Sequence, residues 1–187
     1  MLPAPTARLA FRCMTDADLD NMSRLLGDPD VMRYYPHPKS SEVVQRWINW
    51  SKTNYAEHGF GLWIIEDKDN GAFIGDCGLT WQSVDDEPVL EIGYHVLADP
   101  QGKGYATEAA TACLQYAEAN LDIPMVTALI KPENLPSRRV AEHPGMTPWK
   151  ATHEPDGTPI VVYARTKRSA QNPNLLQVGC PAGSIVT

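Results

Sequence analysis

Residues 99–109 read DPQGKGYATEA, with two glycines and a lysine set between two runs of different period. Before them, LEIGYHVL (90–97) alternates like a strand; after them, Ala106, Ala109, Ala110, Cys113, Leu114 and Ala117 recur at helical spacing. The pattern predicts a strand entering the loop and a helix leaving it, from Thr107 to about Asn120. The first amides of such a helix have no internal partners, and its dipole is positive at that end. Gly102 and Gly104 let the backbone approach a ligand and take dihedrals closed to other residues. Together these features make a cradle for a phosphate or pyrophosphate. Taken alone, the same glycines serve equally well as a tight strand-to-helix turn. A Walker A loop requires a lysine after the second glycine, whereas Lys103 precedes Gly104. A dinucleotide fingerprint requires a third small residue where Thr107 stands, and it opens a parallel unit rather than following a hairpin.

Working outward, FGLWIIED (60–67) and AFIGDCGLTWQ (72–82) flank a sequence with Asn70-Gly71, a strong hairpin signal. DDEP (85–88) separates that hairpin from the strand that feeds the loop. RLAFRCM (8–14) alternates as a first strand. A helix capped by Thr15 or Asp16 carries Leu19, Met22, Leu25 and Leu26 and ends at Gly27. A second, capped by Ser40 or Ser41, runs to about Tyr55 with Val44, Trp47, Ile48 and Ser51 on one face. VMRYYPHP (31–38) joins the two as an ordered loop. MVTALIKP (125–132) is a further strand, NLPSRRVAEHPGM (134–146) a short helix ended by Pro144 and Gly145, and IVVYARTK (160–167) a last strand. The order β-α-α-β-β-β-α-β-α-β describes a mixed α/β layer fold.

The 187 residues, 43% apolar and 21% charged, describe one globular domain, residues 1–167, followed by a tail at 168–187 in which periodicity dissolves. A net charge of -7 argues against nucleic acid as partner, although a local nest of amides still accommodates one anion. No apolar run long enough to span a membrane occurs, and the N-terminus lacks the pattern of a signal peptide, which leads us to expect a cytoplasmic protein. Cys13, Cys77, Cys113 and Cys180 lie far apart without a C-x-x-C pair, so they are read as small buried hydrophobes, with Cys180 in the tail, rather than metal ligands or disulfides. Trp63 and Trp81 are read as core.

Two segments carry a family resemblance. QGKGYA (101–106) matches the Q/R-x-x-G-x-G/A pattern of the GCN5-related N-acetyltransferases, and NLPSRRVAEHPGM is similar to N-x-x-S-x-R-V-x-E-K-x-G-F/M in the subgroup that acetylates ribosomal protein N-termini. The opening, RLAFRCMTDADLDNMSRLLGDPDVMRYY, also resembles that subgroup, and the likeness extends over about Arg8 to Lys167. The resemblance implies the GNAT fold, an α/β structure with a mixed, mostly antiparallel sheet whose splayed strands form an acetyl-CoA cleft. It implies acetyl-CoA as co-substrate, no metal, a primary amine as acceptor on a protein N-terminus or small molecule, and homodimerisation as a family expectation.

Carried over residue by residue, the resemblance puts the pyrophosphate on the amides of Gly102, Lys103, Gly104, Tyr105 and Ala106, at the turn leading into Thr107, with Gln101 supporting the loop. His95, Val96 and Leu97 would line the pantetheine, Val96 N–H serving as oxyanion donor. Asn134 would hydrogen-bond the pantetheine, cap the helix after it, or do both. Glu91 and His95 share one face of their strand and are the candidate bases. Ala141 stands where many relatives have a tyrosine acid, which leaves Ser137 as the candidate hydroxyl at the thiol. His143 and Pro144 replace a lysine and its neighbour near the nucleotide end. Tyr34, Tyr35 and His37 are candidates for the acceptor slot. Acetylation of an antibiotic or metabolite amine, and a non-catalytic acyl-CoA sensor, are the alternative readings.

Overall fold

A computed structural model describes residues 1–167; the tail at 168–187, Cys180 included, lies outside the described residues. The elements are β1 (Leu9–Arg12), a 3-10 turn (Asp16–Asp18), α1 (Leu19–Leu26), α2 (Ser41–His58), β2 (Leu62–Asp67), β3 (Phe73–Val84), β4 (Glu87–Val96), α3 (Tyr105–Asn120), β5 (Met125–Ile130), α4 (Leu135–Glu142), β6 (Thr147–His153) and β7 (Pro159–Thr166). Seven strands form one sheet in the order β1-β2-β3-β4-β5-β7-β6. Every neighbouring pair is antiparallel except β4 and β5, which run parallel and share one register pair, Glu91 with Thr127. Beyond that point the two strands diverge, and the sheet opens.

Both faces of the sheet are covered, which explains why β2 is apolar at successive positions. Trp63 and Ile65 face α3 in one core, whereas Leu62 and Ile64 face α1 and α2 in the other. Such a strand shows no alternation because neither side meets water. The alanine stripe of α3, with Ala109, Ala110, Cys113 and Ala117 essentially inaccessible, lets that helix lie close against β3 and β4. Ser40 caps α2 by accepting from the Val43 amide, and Gly59 ends it in the left-handed conformation at φ 76°.

Three expectations are corrected. No strand is expected from the sequence at 147–153, yet β6 forms the edge of the sheet beside β7. Its residues are mostly exposed, so it carries no apolar period to read; the overlooked signal was Asp156-Gly157, with Gly157 at φ 86° in the turn to β7. Trp81 is 41% exposed rather than core, and it leans towards Phe60 at the surface. Cys13 is exposed, whereas Cys77 and Cys113 are buried as expected. The separator at Asp85 and Asp86 is a tight hairpin in which both residues take positive φ, 52° and 65°, and β4 begins directly after it.

Candidate active site

The glycine loop bridges β4 and α3. Gly102 and Gly104 have φ of 77° and 84°, a region that strains any residue with a Cβ, and Gly104 is the N-cap of α3. Gly102, Gly104, Tyr105, Ala106 and Thr107 line a cleft of about 720 Å³ that continues between the splayed strands to Tyr34 and Tyr35. Lys103 does not line it: its carbonyl accepts a hydrogen bond from Arg8 Nη1 at 2.9 Å. Gln101 donates through Nε2 to the Val96 carbonyl (3.1 Å) and accepts from Arg33 Nη2 (3.2 Å), which ties the loop to the end of β4. The cradle therefore suits an anion of pyrophosphate size, with helix amides and two glycines facing the opening.

The pairing of β3 with β4 decides which amides of β4 face the cleft. Leu97 N–H donates to the Ile74 carbonyl at 3.0 Å, and hydrogen-bonded positions recur at every second residue of an antiparallel ladder. His95 and Leu97 therefore direct their N–H groups to β3, and Val96 directs its own towards the opening. The Leu97 side chain packs with the core under α1 and α2 and does not line the cleft. Of the three residues expected along the pantetheine, Val96 is the one placed to donate into the gap.

Glu91 stands where the β4–β5 ladder ends. Its Oε1 accepts from the Leu129 amide of β5 at 3.3 Å, taking up a backbone donor that the splay has freed. Burial pushes its carboxyl up to about 7, against the opposing influence of that amide and of His95. His95, on the same strand face, has both ring nitrogens engaged: Nδ1 with Asp76 Oδ1 and Nε2 with the Tyr35 hydroxyl, each at 2.8 Å. Burial opposes the charged imidazole, but the Asp76 carboxylate outweighs it and the net direction is upward. Asp76 is fully buried opposite His95 in the β3–β4 register. Tyr35 lines the cleft and is 40% exposed, while its hydroxyl lies inside against His95. Tyr34 lines the same cleft; His37 is exposed and outside its lining.

On the other wall, Asn134 Oδ1 caps α4 by accepting from Ser137 N–H at 3.1 Å, and Asn134 also lines the cleft. The Tyr94 hydroxyl donates to the Ser137 carbonyl at 2.8 Å and lies 2.9 Å from Ser137 Oγ. Burial pushes the Tyr94 phenol up, so it stays protonated. Position 141 is a buried alanine, and Tyr94, approaching from β4, puts a phenol against Ser137. Sequence reading overlooked Asp76 and Tyr94 because both belong to strands whose apolar neighbours mark them only as core. The one available signal for Asp76 was a carboxylate inside an otherwise apolar run, FIGDCGL (73–79).

Comparison with known proteins agrees with this geometry. Residues 8–147 match the model of the acetyltransferase (GNAT) domain. The chain is 42% identical over 161 residues to the uncharacterized Bacillus subtilis protein YkkB, covering 86% of this chain and 93% of YkkB. Among solved structures, the ribosomal L7/L12 alpha-N-protein acetyltransferase RimL in complex with coenzyme A superposes with a TM-score of 0.70 at 17% identity, over 89% of this chain and 98% of that one. The aminoglycoside acetyltransferase AAC(6')-Ib, also in complex with coenzyme A, gives a TM-score of 0.70 at 20% identity, over 85% and 95%. At these identities the two structures speak for the fold alone. The sheet that opens after Glu91, the glycine loop before α3 and the matched residues together make this chain a member of the GNAT acetyltransferase family.

Proposed function

We propose that the protein transfers an acetyl group from acetyl-CoA directly to a primary amine, with both substrates bound at once in the cleft. The observation that carries this reading is the placement of Glu91: a carboxylate raised to about 7, on the wall of the gap into which Val96 N–H is directed. Acetyl-CoA would supply the acetyl group activated as a thioester. The amides of Gly102, Gly104, Tyr105 and Ala106 hold its pyrophosphate, and Asn134 faces the pantetheine. Glu91, ionised above its pKa, takes the proton of the acceptor ammonium and so frees the nitrogen lone pair for attack. Val96 N–H donates to the carbonyl oxygen as negative charge builds there. As the tetrahedral adduct collapses, nitrogen sheds its second proton, which ends on the departing sulfur; because Tyr94 already donates to the Ser137 carbonyl, the Ser137 hydroxyl is free to hydrogen-bond that sulfur.

The acceptor enters on the α1–α2 side, past Tyr34 and Tyr35. Carboxylates of Glu91 and Glu154 line this part of the cleft together with the Trp47 ring, a setting that favours a cation. The Asp76–His95–Tyr35 chain holds the tyrosine hydroxyl inside the cleft, and we assign it to orienting the amine rather than to removing its proton. Release of free thiol from acetyl-CoA, measured against N-terminal peptides, polyamines and aminoglycosides, tests the reading. Amine-dependent release with at least one class supports it. Acetyl-CoA binding without turnover on any of them would replace it with an acyl-CoA sensor.

A further inference from the structure

Glu108 sits in the first turn of α3, beside the amides assigned to pyrophosphate, where a bare carboxylate would repel the ligand. It is not bare. Arg8, a hundred residues earlier and just before β1, reaches it through Nε at 2.7 Å and Nη2 at 2.6 Å, while the Arg8 backbone amide donates to its other oxygen at 3.0 Å. Thr6 Oγ1 adds a fourth donor at 2.5 Å. The same guanidinium donates through Nη1 to the Lys103 carbonyl at 2.9 Å and lies 4.4 Å from the centroid of the Tyr105 ring. One side chain thus neutralises the acidic residue of the first turn, turns a loop carbonyl to itself and packs on the first residue of the helix. Arg8 is not among the residues lining the cleft, and its side chain is 44% exposed, against 19% for Glu108. The contacts converge on a mostly buried carboxylate and on the glycine loop together, so their loss is expected to show at the loop as well as in local stability.

We propose that Arg8 is a positioning residue for the coenzyme: it cancels the charge of Glu108 and holds the Lys103 carbonyl on itself, so that the loop presents amides alone to the phosphates. This rests on the assignment of the loop to CoA. Partial burial pushes the Glu108 carboxyl up, but the donors from Thr6 and Arg8 outweigh it and hold the group below the usual range, so Glu108 is an anion at working pH and needs the partner.

Calorimetric titration of the full chain with CoA, which requires no turnover, tests the proposal through a double-mutant cycle. Arg8→Gln is expected to raise the Kd for CoA about tenfold, the equivalent of about 1.4 kcal/mol, with the melting temperature close to that of the parent protein. Glu108→Gln is expected to leave the Kd within about twofold, and Arg8→Gln with Glu108→Gln to bind at least about threefold more tightly than Arg8→Gln alone, because the exposed carboxylate is then gone. Unchanged affinity in Arg8→Gln would overturn the proposal, as would a double variant no better than that single one. If the parent protein itself takes up no CoA, the coenzyme assignment of the loop fails first.

Discussion

At position 91 a carboxylate ends the ladder between two strands, and in the proposed reaction its protonation decides whether the cleft can take the proton of the amine. With a pKa raised to about 7 by burial, Glu91 is protonated below that pH and ionised above it. A base acts only when ionised, so kcat/KM is expected to rise with pH through a limb near 7 and to level off above it. Glu91→Gln removes the proton acceptor while keeping the side-chain shape. It is expected to lower kcat/KM by about 10²–10³-fold and to abolish that limb, as read from pH–rate profiles on the best amine. An unchanged limb in the variant would assign it to another group. This residue was legible in the sequence as one of two polar positions on a strand face. What the sequence did not contain was the sorting of the pair: His95 is spent on Asp76 and Tyr35, contacts 19 and 60 residues away in the chain.

Among elements, the glycine loop and α3 were the most legible because local rules act there in agreement. Two residues need positive φ, an alanine stripe needs close packing, and both demands are written in residue types. Gly104→Ala tests this. A Cβ at φ 84° is strained by about 1–2 kcal/mol, and the added atom would also lie 3.5 Å from Arg8 Nη2. The melting temperature is expected to fall by roughly 2–4 °C for each kcal/mol lost, measured calorimetrically, with CoA affinity falling about tenfold in the same sample. β6 was illegible for the opposite reason. An edge strand with both faces towards solvent has no apolar period, and Pro148 argues locally against a ladder. The β3–β4 hairpin carries no turn signature in the sequence, because Asp85 and Asp86 adopt the left-handed region without glycine.

At the scale of the whole molecule, function follows from one topological fact. A sheet that is antiparallel elsewhere contains one parallel pair, and that pair separates after a single register position. The gap admits a chain-like ligand between the strands, with the anion cradle at one end and the aromatic and acidic mouth at the other. In the proposed mechanism two substrates occupy the cleft together and transfer passes through no acyl-enzyme stage. Cys77 and Cys113, both buried, are not placed to act as nucleophiles for one. The most direct test is the initial-velocity pattern of thiol release when acetyl-CoA and the preferred amine are varied against each other. Intersecting double-reciprocal lines are the expected result, because in the proposed mechanism product forms only from the ternary complex. Parallel lines, the mark of an acetylated enzyme formed before the amine binds, would contradict the account.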